Sequence, residues 1–170
     1  LGNVFLNTYL EQTGDYSGVA LLDFYQAYRA YVRGKVAAFL LDAAESEAER
    51  SGARREAAAY FTLAERYVTP RKPGLIITSG LSGSGKSTIA RQVAESLDAI
   101  QVRSDAVRKQ LAGMTPGQRD PSAFAQGIYH PRMTHRVYDT MLQHARVITG
   151  SGRWAILDAT YPTPQHRSSA

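Results

Sequence analysis

The sequence predicts an α/β protein in which an all-helical segment, residues 1–69, precedes a parallel sheet covered by helices, residues 70–170. Helical periodicity runs through the first segment, and the Pro-Arg-Lys-Pro-Gly sequence at residues 70–74 interrupts it. From residue 75 onward, short apolar strand-like runs alternate with helical ones. This alternation predicts a parallel, three-layer arrangement with ligands at the carboxyl ends of the strands.

The helical segment has its clearest periodicity in an apolar stripe over residues 21–40. A first short helix is expected around residues 4–10, and a third, alanine-rich helix over residues 45–67 with its charged face in solvent. Large apolar residues at three- and four-residue steps are typical of core packing. The stripe consists of Leu21, Phe24, Tyr25, Tyr28, Tyr31, Val32, Val36, Phe39 and Leu40.

The second segment contains three candidate strands, each an apolar or β-branched run. The first ends just before a glycine-rich stretch, and the third ends in an aspartate. A polar loop is expected over residues 112–127. The expected order is strand 75–79, helix 87–97, strand 99–103, helix 105–111, helix 131–149 and strand 154–157.

Composition excludes several classes of protein. Hydrophobic residues make up 44% of the 170 residues, which favours a packed core over disorder. The chain has no cysteine, so neither disulfides nor a thiolate metal site is possible, and this suits a cytoplasmic location. No membrane span or signal peptide is apparent. The net charge of +5 suits phosphate-bearing ligands.

The two ends of the sequence look cut. The chain starts at Leu1 with amphipathic sequence, and residues 165–170 stop without a closing element. We therefore expect an internal fragment of a longer protein.

Residues 80–87 read Gly-Leu-Ser-Gly-Ser-Gly-Lys-Ser, a complete G-x-x-x-x-G-K-[ST] phosphate-binding loop between a strand and a helix. Its glycines allow successive N–H groups to face one anion, and the following helix adds N–H donors. Lys86 can reach the β- and γ-phosphates, and the Ser87 hydroxyl can bind Mg²⁺. A glycine-rich turn that binds nothing would need neither this lysine nor this hydroxyl. The residues expected to bind ATP are Gly80, Leu81, Ser82, Gly83, Ser84, Gly85, Lys86, Ser87 and Thr88.

A carboxylate and an arginine follow the second strand. Asp105 lies just beyond the carboxyl end of that strand, where it would face the same crevice as the loop. It is placed to accept the proton of an acceptor hydroxyl, while Arg108, one helical turn on, could hold an anionic substrate or the transferring phosphoryl group. The alternative for Asp105 is a helix N-cap, a common position for aspartate.

Asp158 ends the third strand and has the form of a Walker-B aspartate, which holds Mg²⁺ directly or through water. Thr160 and Arg167 follow, and either could face ligand or solvent. The guanine-reading Asn-Lys-x-Asp segment of GTP-binding switch proteins does not occur in the sequence.

Three segments together resemble the small P-loop kinases: residues 80–88, 102–109 and 156–161. This group includes gluconate-kinase-like and zeta-toxin-like enzymes and the kinase domain of polynucleotide kinase. A more specific resemblance is to bacterial AAA family ATPases or predicted kinases, in which an aminoglycoside-phosphotransferase-like domain comes first. Residues 5–7, 13–16, 28–30 and 35–36 resemble the helical tail of that first domain.

The resemblance implies an ATP-dependent kinase with a P-loop NTPase-type sheet that is incomplete at the C-terminus. It implies that Lys86 and Ser87 hold phosphates and Mg²⁺, that Asp105 is the base, and that Arg108 contacts substrate or phosphoryl group. Residues 1–69 would be the tail of the preceding domain. The lid arginines and most of the adenine pocket would lie beyond residue 170.

Other functions stay open at this point. The chain could hydrolyse ATP without an acceptor, respond to nucleotide as a sensor, or act on nucleic acid in the manner of a polynucleotide 5′-kinase. The last is less favoured because no aromatic-interleaved basic stripe is present. We expect the acceptor to be a small molecule or a nucleotide-like compound, and we expect no membrane partner. The acceptor itself and the oligomeric state are not indicated.

Overall fold

The computed structural model of the protein describes residues 2–115, 118 and 127–161. The chain forms two compact units, one of residues 18–70 and one of residues 1–17 with residues 71–170. Within the described residues, no helix combines the length and the apolarity that a membrane crossing requires.

Residues 18–70 contain a helical hairpin of α2 (Val19–Ala43) and α3 (Glu47–Val68). Helix α3 begins with a capping box, in which the Ser46 hydroxyl accepts the Glu49 N–H at 3.2 Å and the Glu49 carboxylate accepts the Ser46 N–H at 3.3 Å. The buried residues of the hairpin are small, and a Cβ on Gly34 would lie 2.9 Å from Cε1 of Phe61. Glycine at this position therefore permits the close approach of the two helices.

The core role predicted for the stripe on α2 is wrong, although its helical periodicity is confirmed. Apart from the partly buried Val32, its side chains are 52–65% exposed. In the hairpin each helix has one partner, and the contact buries small residues instead: Ala30, Gly34, Ala37 and Ala57. Large side chains of the stripe lie at the margin of this contact: Tyr31 packs on Phe61 of α3 with ring centroids 5.6 Å apart and is still 52% exposed.

The other unit contains a parallel sheet of β1 (Leu75–Thr78), β2 (Ile100–Arg103) and β3 (Ala155–Asp158). The order of these described strands is β1-β3-β2, with β3 fully buried in the centre. Asp158 pairs in register with Thr78 on one side and Arg103 on the other. The predicted parallel sheet is thus confirmed for these strands, and this part of the chain is consistent with a P-loop NTPase fold.

Helices α4 (Lys86–Leu97), α5 (Ser104–Leu111) and α6 (Pro131–Gly150) accompany the sheet, close to their predicted bounds. Ala90 and Ala94 of α4 pack against Ile156 in the centre of the sheet. Helix α6 contacts β2 and β3 and carries fully buried apolar residues. Proline at its first position and the His130 ring, which accepts the Arg132 N–H at 3.3 Å, define its start.

Helix α1 (Gly2–Thr13) packs against β2. The Asn7 amide donates to the Ala99 carbonyl at 3.1 Å, and its oxygen accepts the Gln101 N–H at 2.7 Å. Residues 1–17 thus pack with residues 71–170, an arrangement absent from the sequence-based division at residue 69.

Candidate active site

The phosphate-binding loop joins β1 to α4, as the sequence predicts. Gly80, Gly83 and Gly85 have φ values of +140°, +80° and +85°, which favour glycine over any residue with a Cβ. Gly85 is also the N-cap of α4, so the N-terminal N–H groups of this helix belong to the loop. Such a strand–glycine loop–helix arrangement suits a phosphate, since backbone donors and the helix dipole both favour an anion there.

The Lys86 ammonium lies across its own loop. It donates to the Leu81 carbonyl and lies 3.4 Å from the Ser84 hydroxyl. The side chain is partly buried, while the other loop residues from Gly80 to Gly85 are exposed. A phosphate entering the loop would replace these neutral acceptors with charged oxygens, to which an ammonium bonds more strongly.

A single cleft of about 620 Å³ brings together the predicted site residues that follow different strands. The loop contributes Lys86 and Ser87, and the ends of β2 and β3 contribute Asp105 and Asp158. Leu81 is the one loop residue with a highly exposed apolar side chain, at 83%. The complete lining is Ser82, Gly83, Gly85, Lys86, Ser87, Thr88, Arg103, Ser104, Asp105, Arg108, Tyr129, Tyr138, Asp158, Ala159 and Thr160.

The Asp158 carboxylate is held by donors from both neighbouring strands. Its Oδ1 accepts the Thr78 hydroxyl at 3.0 Å, and its Oδ2 accepts the Gln101 amide at 2.9 Å. The Arg103 Nε lies 4.0 Å from the same Oδ2, and Asp158 itself is 4% exposed. A carboxylate has about four lone-pair positions, so these neutral donors orient the group and leave acceptor capacity for a cation.

Asp105 lies in the first turn of α5, but the N-cap of this helix is Arg103. Asp105 therefore does not cap α5, which was the alternative considered from the sequence. Its Oδ2 instead lies 3.1 Å from the Lys109 ammonium, one turn along the helix, and its side chain is 47% exposed. The Asp105 carboxylate is half-exposed while the Lys109 side chain is 15% exposed, so solvent screens the pair on the carboxylate side and an incoming hydroxyl group could compete with the lysine for Asp105.

Arg108 is 9% exposed and is fixed by the segment that precedes and begins α6. Its Nη1 donates to the Ile128 carbonyl at 3.0 Å and to the Thr134 hydroxyl at 3.3 Å, and its guanidinium lies 5.0 Å from the Tyr129 ring centroid. Burial lowers the pKa of Arg108, while Tyr129, Tyr138 and Asp105 oppose this change. An arginine keeps its charge at neutral pH. The cleft therefore contains a rigidly held cation.

The donors present fit Mg²⁺. Within the described part of the chain, no group of three or more His, Cys, Asp or Glu side chains is placed to hold a metal ion. The partly buried Ser87 hydroxyl and the Asp158 carboxylate do line the same cleft. Mg²⁺ typically takes one or two protein oxygens and completes its shell with water and substrate phosphates, so a sparse oxygen set at a phosphate loop suits it.

Sequence reasoning missed Gln101 and Arg103, which contact or approach Asp158 from β2. A period-two pattern could have found them, since these polar residues alternate with the buried Ile100 and Val102. Thr160 contributes its carbonyl, which accepts the Gly80 N–H at 3.2 Å. Arg167, considered as a ligand contact, lies outside the described residues.

The AAA domain family matches residues 75–170 of the chain. Curated relatives are uncharacterized proteins of Mycobacterium bovis (Mb2027c) and of Mycobacterium tuberculosis (MT2060 and Rv2004c). Each is 35% identical over all 170 residues of the chain, which spans 33% of the relative's length. No solved structure matches.

Proposed function

The chain belongs to the AAA domain family, a P-loop family of nucleotide-binding kinase-like and ATPase-like proteins, and from this premise we propose that it transfers the γ-phosphate of MgATP to an acceptor hydroxyl. The observation that carries the proposal is the shared cleft, which holds the phosphate loop, two carboxylates and a buried arginine. A module that binds a nucleotide without catalysing a reaction would need the loop but not the two carboxylates and the arginine together.

ATP binds with its phosphates on residues 80–88. The loop N–H groups and the N-terminus of α4 hold the β-phosphate, and Lys86 leaves the Leu81 carbonyl for the β- and γ-phosphate oxygens. Ser87 and Asp158 would hold Mg²⁺, and the bound ion would supply positive charge to the phosphate oxygens. Thr78 and Gln101 keep the Asp158 carboxylate in one orientation during this process.

Transfer proceeds by in-line displacement. Asp105 exchanges its Lys109 pairing for the acceptor hydroxyl and takes its proton, while the hydroxyl oxygen bonds to the γ-phosphorus and the bond to the β,γ-bridging oxygen breaks. Lys86 and Arg108 stabilise the charge on the moving phosphoryl group. A positioned base contributes about 10²- to 10⁴-fold to such a reaction.

The acceptor in this proposal is a small molecule or a nucleotide-like compound that carries a hydroxyl group. The chain spans about a third of the length of its curated relatives. The Tyr129 ring, 41% exposed beside Arg108, offers an apolar surface next to a cation in the cleft. This pairing favours an acceptor with both a flat or apolar face and an anionic group.

The test compares Asp105→Asn with the chain in assays of phosphate transfer from γ-labelled ATP to sugars, nucleosides, aminoglycosides and polynucleotide 5′ ends. We expect transfer to at least one class, reduced about 100-fold or more in Asp105→Asn with MgATP binding retained. Asp139→Asn, on the exposed face of α6, is the matched control. Hydrolysis without transfer, unchanged in Asp105→Asn, would identify an ATPase instead.

A further inference from the structure

Helix α1 reaches the candidate metal site through a chain of charged side chains. Glu11 of α1 forms an ion pair with Nη1 of Arg103, and the Nε of the same guanidinium lies 4.0 Å from Asp158 Oδ2. The Arg103 and Glu11 side chains are about 30% exposed, whereas Asp158 is 4% exposed. One cation thus lies between two carboxylates, in a close ion pair with the more exposed Glu11 and at the outer distance limit of an ion pair with Asp158.

We propose that Glu11 is a positioning residue for the metal site: it holds the Arg103 guanidinium off Asp158 and so keeps that carboxylate available to Mg²⁺. This inference rests on the proposed function, since it assumes that Asp158 binds the metal ion. The AAA domain match begins at residue 75, so α1 lies outside the matched region.

The geometry explains why Arg103 competes with Mg²⁺ for the Asp158 carboxylate. A guanidinium at 4.0 Å from a carboxylate oxygen needs only a small rotation to form a direct, charge-assisted hydrogen bond. Arg103 also pairs with Asp158 across the sheet, so the backbone keeps the two residues adjacent. Arginine and Mg²⁺ both bind carboxylate oxygens. A direct Arg103–Asp158 pair would occupy Oδ2 and add a positive charge beside the metal position.

The position of Glu11 is itself well determined. Its backbone carbonyl accepts the Gln110 amide of α5 at 3.0 Å, and one turn earlier Asn7 bonds both Ala99 and Gln101 of the β2 region. Helix α1 is therefore anchored to the β2 region at Asn7 and to α5 at Glu11 itself. This anchoring gives the Glu11 carboxylate a defined place from which to hold Arg103.

The experiment measures the coupling between nucleotide and metal. ADP is titrated calorimetrically into the chain with Mg²⁺ and again with EDTA, and the ratio of the two affinities is the coupling factor. We expect Glu11→Ala to lower this factor about tenfold while the metal-free affinity stays the same. The double variant Glu11→Ala/Arg103→Ala removes the competitor and should restore the factor.

Glu95→Ala is the matched control, because it removes an exposed glutamate from α4 and should leave the coupling factor unchanged. A merely structural role of Glu11 would lower both affinities together and would not be rescued by removal of Arg103. Either that result or an unchanged factor in Glu11→Ala overturns the inference alone. Absence of ADP binding to the unmodified, folded chain would instead overturn the proposed function, and this inference with it.

Discussion

The side-chain oxygen of Asn7 accepts the backbone N–H of Gln101 at 2.7 Å, and the same amide group donates to the Ala99 carbonyl at 3.1 Å. In the described sheet β2 lies at the edge, so its outer N–H and C=O groups lack a neighbouring strand. One amide of a helix therefore takes the place of a strand at this edge. The contact joins α1 to the strand that leads directly into the candidate active site.

Replacing Asn7 with alanine should destabilise this unit by about 1–3 kcal/mol, because the partly buried Gln101 N–H loses its partner and the Ala99 carbonyl keeps only its bond from Asn3. Chemical denaturation followed by circular dichroism measures the change. Thr8→Val is the control: the Thr8 hydroxyl bonds only within its own helix in an exposed position, and its removal should cost less than about 0.5 kcal/mol. Equal effects of the two substitutions would contradict this role of Asn7.

Gly85→Ala should destabilise the folded chain by about 1–2 kcal/mol and weaken nucleotide binding. A Cβ at Gly85 meets nothing within 4 Å, so the cost comes from its φ of +85° and not from a clash. Measurements of the unfolding free energy and of ADP affinity test this.

Gly52→Ala is the matched comparison for that prediction. A Cβ at Gly52 also meets nothing within 4 Å, but the residue lies inside α3, where alanine is favoured over glycine by about 0.5–1 kcal/mol. We expect stabilisation and unchanged ADP affinity. If both alanine variants shift stability in the same direction, the loop conformation is not what determines the effect.

Local sequence predicted the elements of the fold well because each carries its own determinants. The loop glycines, the apolar strand before them and Pro131 at the start of α6 act within a few residues of their own position. The site residues Lys86, Asp105 and Asp158 could be placed in one cleft because parallel strands bring their carboxyl ends together.

Long-range partners were beyond prediction. Nothing near Glu11 in the sequence indicates a pairing with Arg103, 92 residues away, and Asn7 is a common residue type with no motif around it. The apolar stripe of α2 was predicted to be buried because periodicity reports a helix with an apolar face, not the presence of something that covers it. Long-range pairings and the burial of a helix face depend on which elements pack against each other.

His144 should make the protein sensitive to mild acid. Its ring stacks on Tyr16 with centroids 4.1 Å apart, and burial lowers the pKa of His144 from its usual value of 6.5. Because the unfolded chain then binds this proton more readily than the folded one, this contribution to stability is fully present above pH 6.5 and is lost as the pH falls from there through the lower pKa of the folded state.

Urea unfolding at about pH 7.5 and about pH 5.5 measures this effect. The stability difference between the two conditions should shrink in His144→Gln and persist in His135→Gln, which changes an exposed histidine of α6. An identical pH dependence in the chain and in His144→Gln would show that other groups are responsible.

Calorimetric titration of MgATP into residues 1–170, with Lys86→Ala alongside, tests the central claim most directly. We expect saturable binding to the chain, a loss of affinity of about tenfold or more in Lys86→Ala, and no change in Lys72→Ala, which removes an exposed lysine from the segment before β1. No binding to a chain that circular dichroism shows to be folded, or equal binding by Lys86→Ala, would contradict the assignment of this cleft as a nucleotide site.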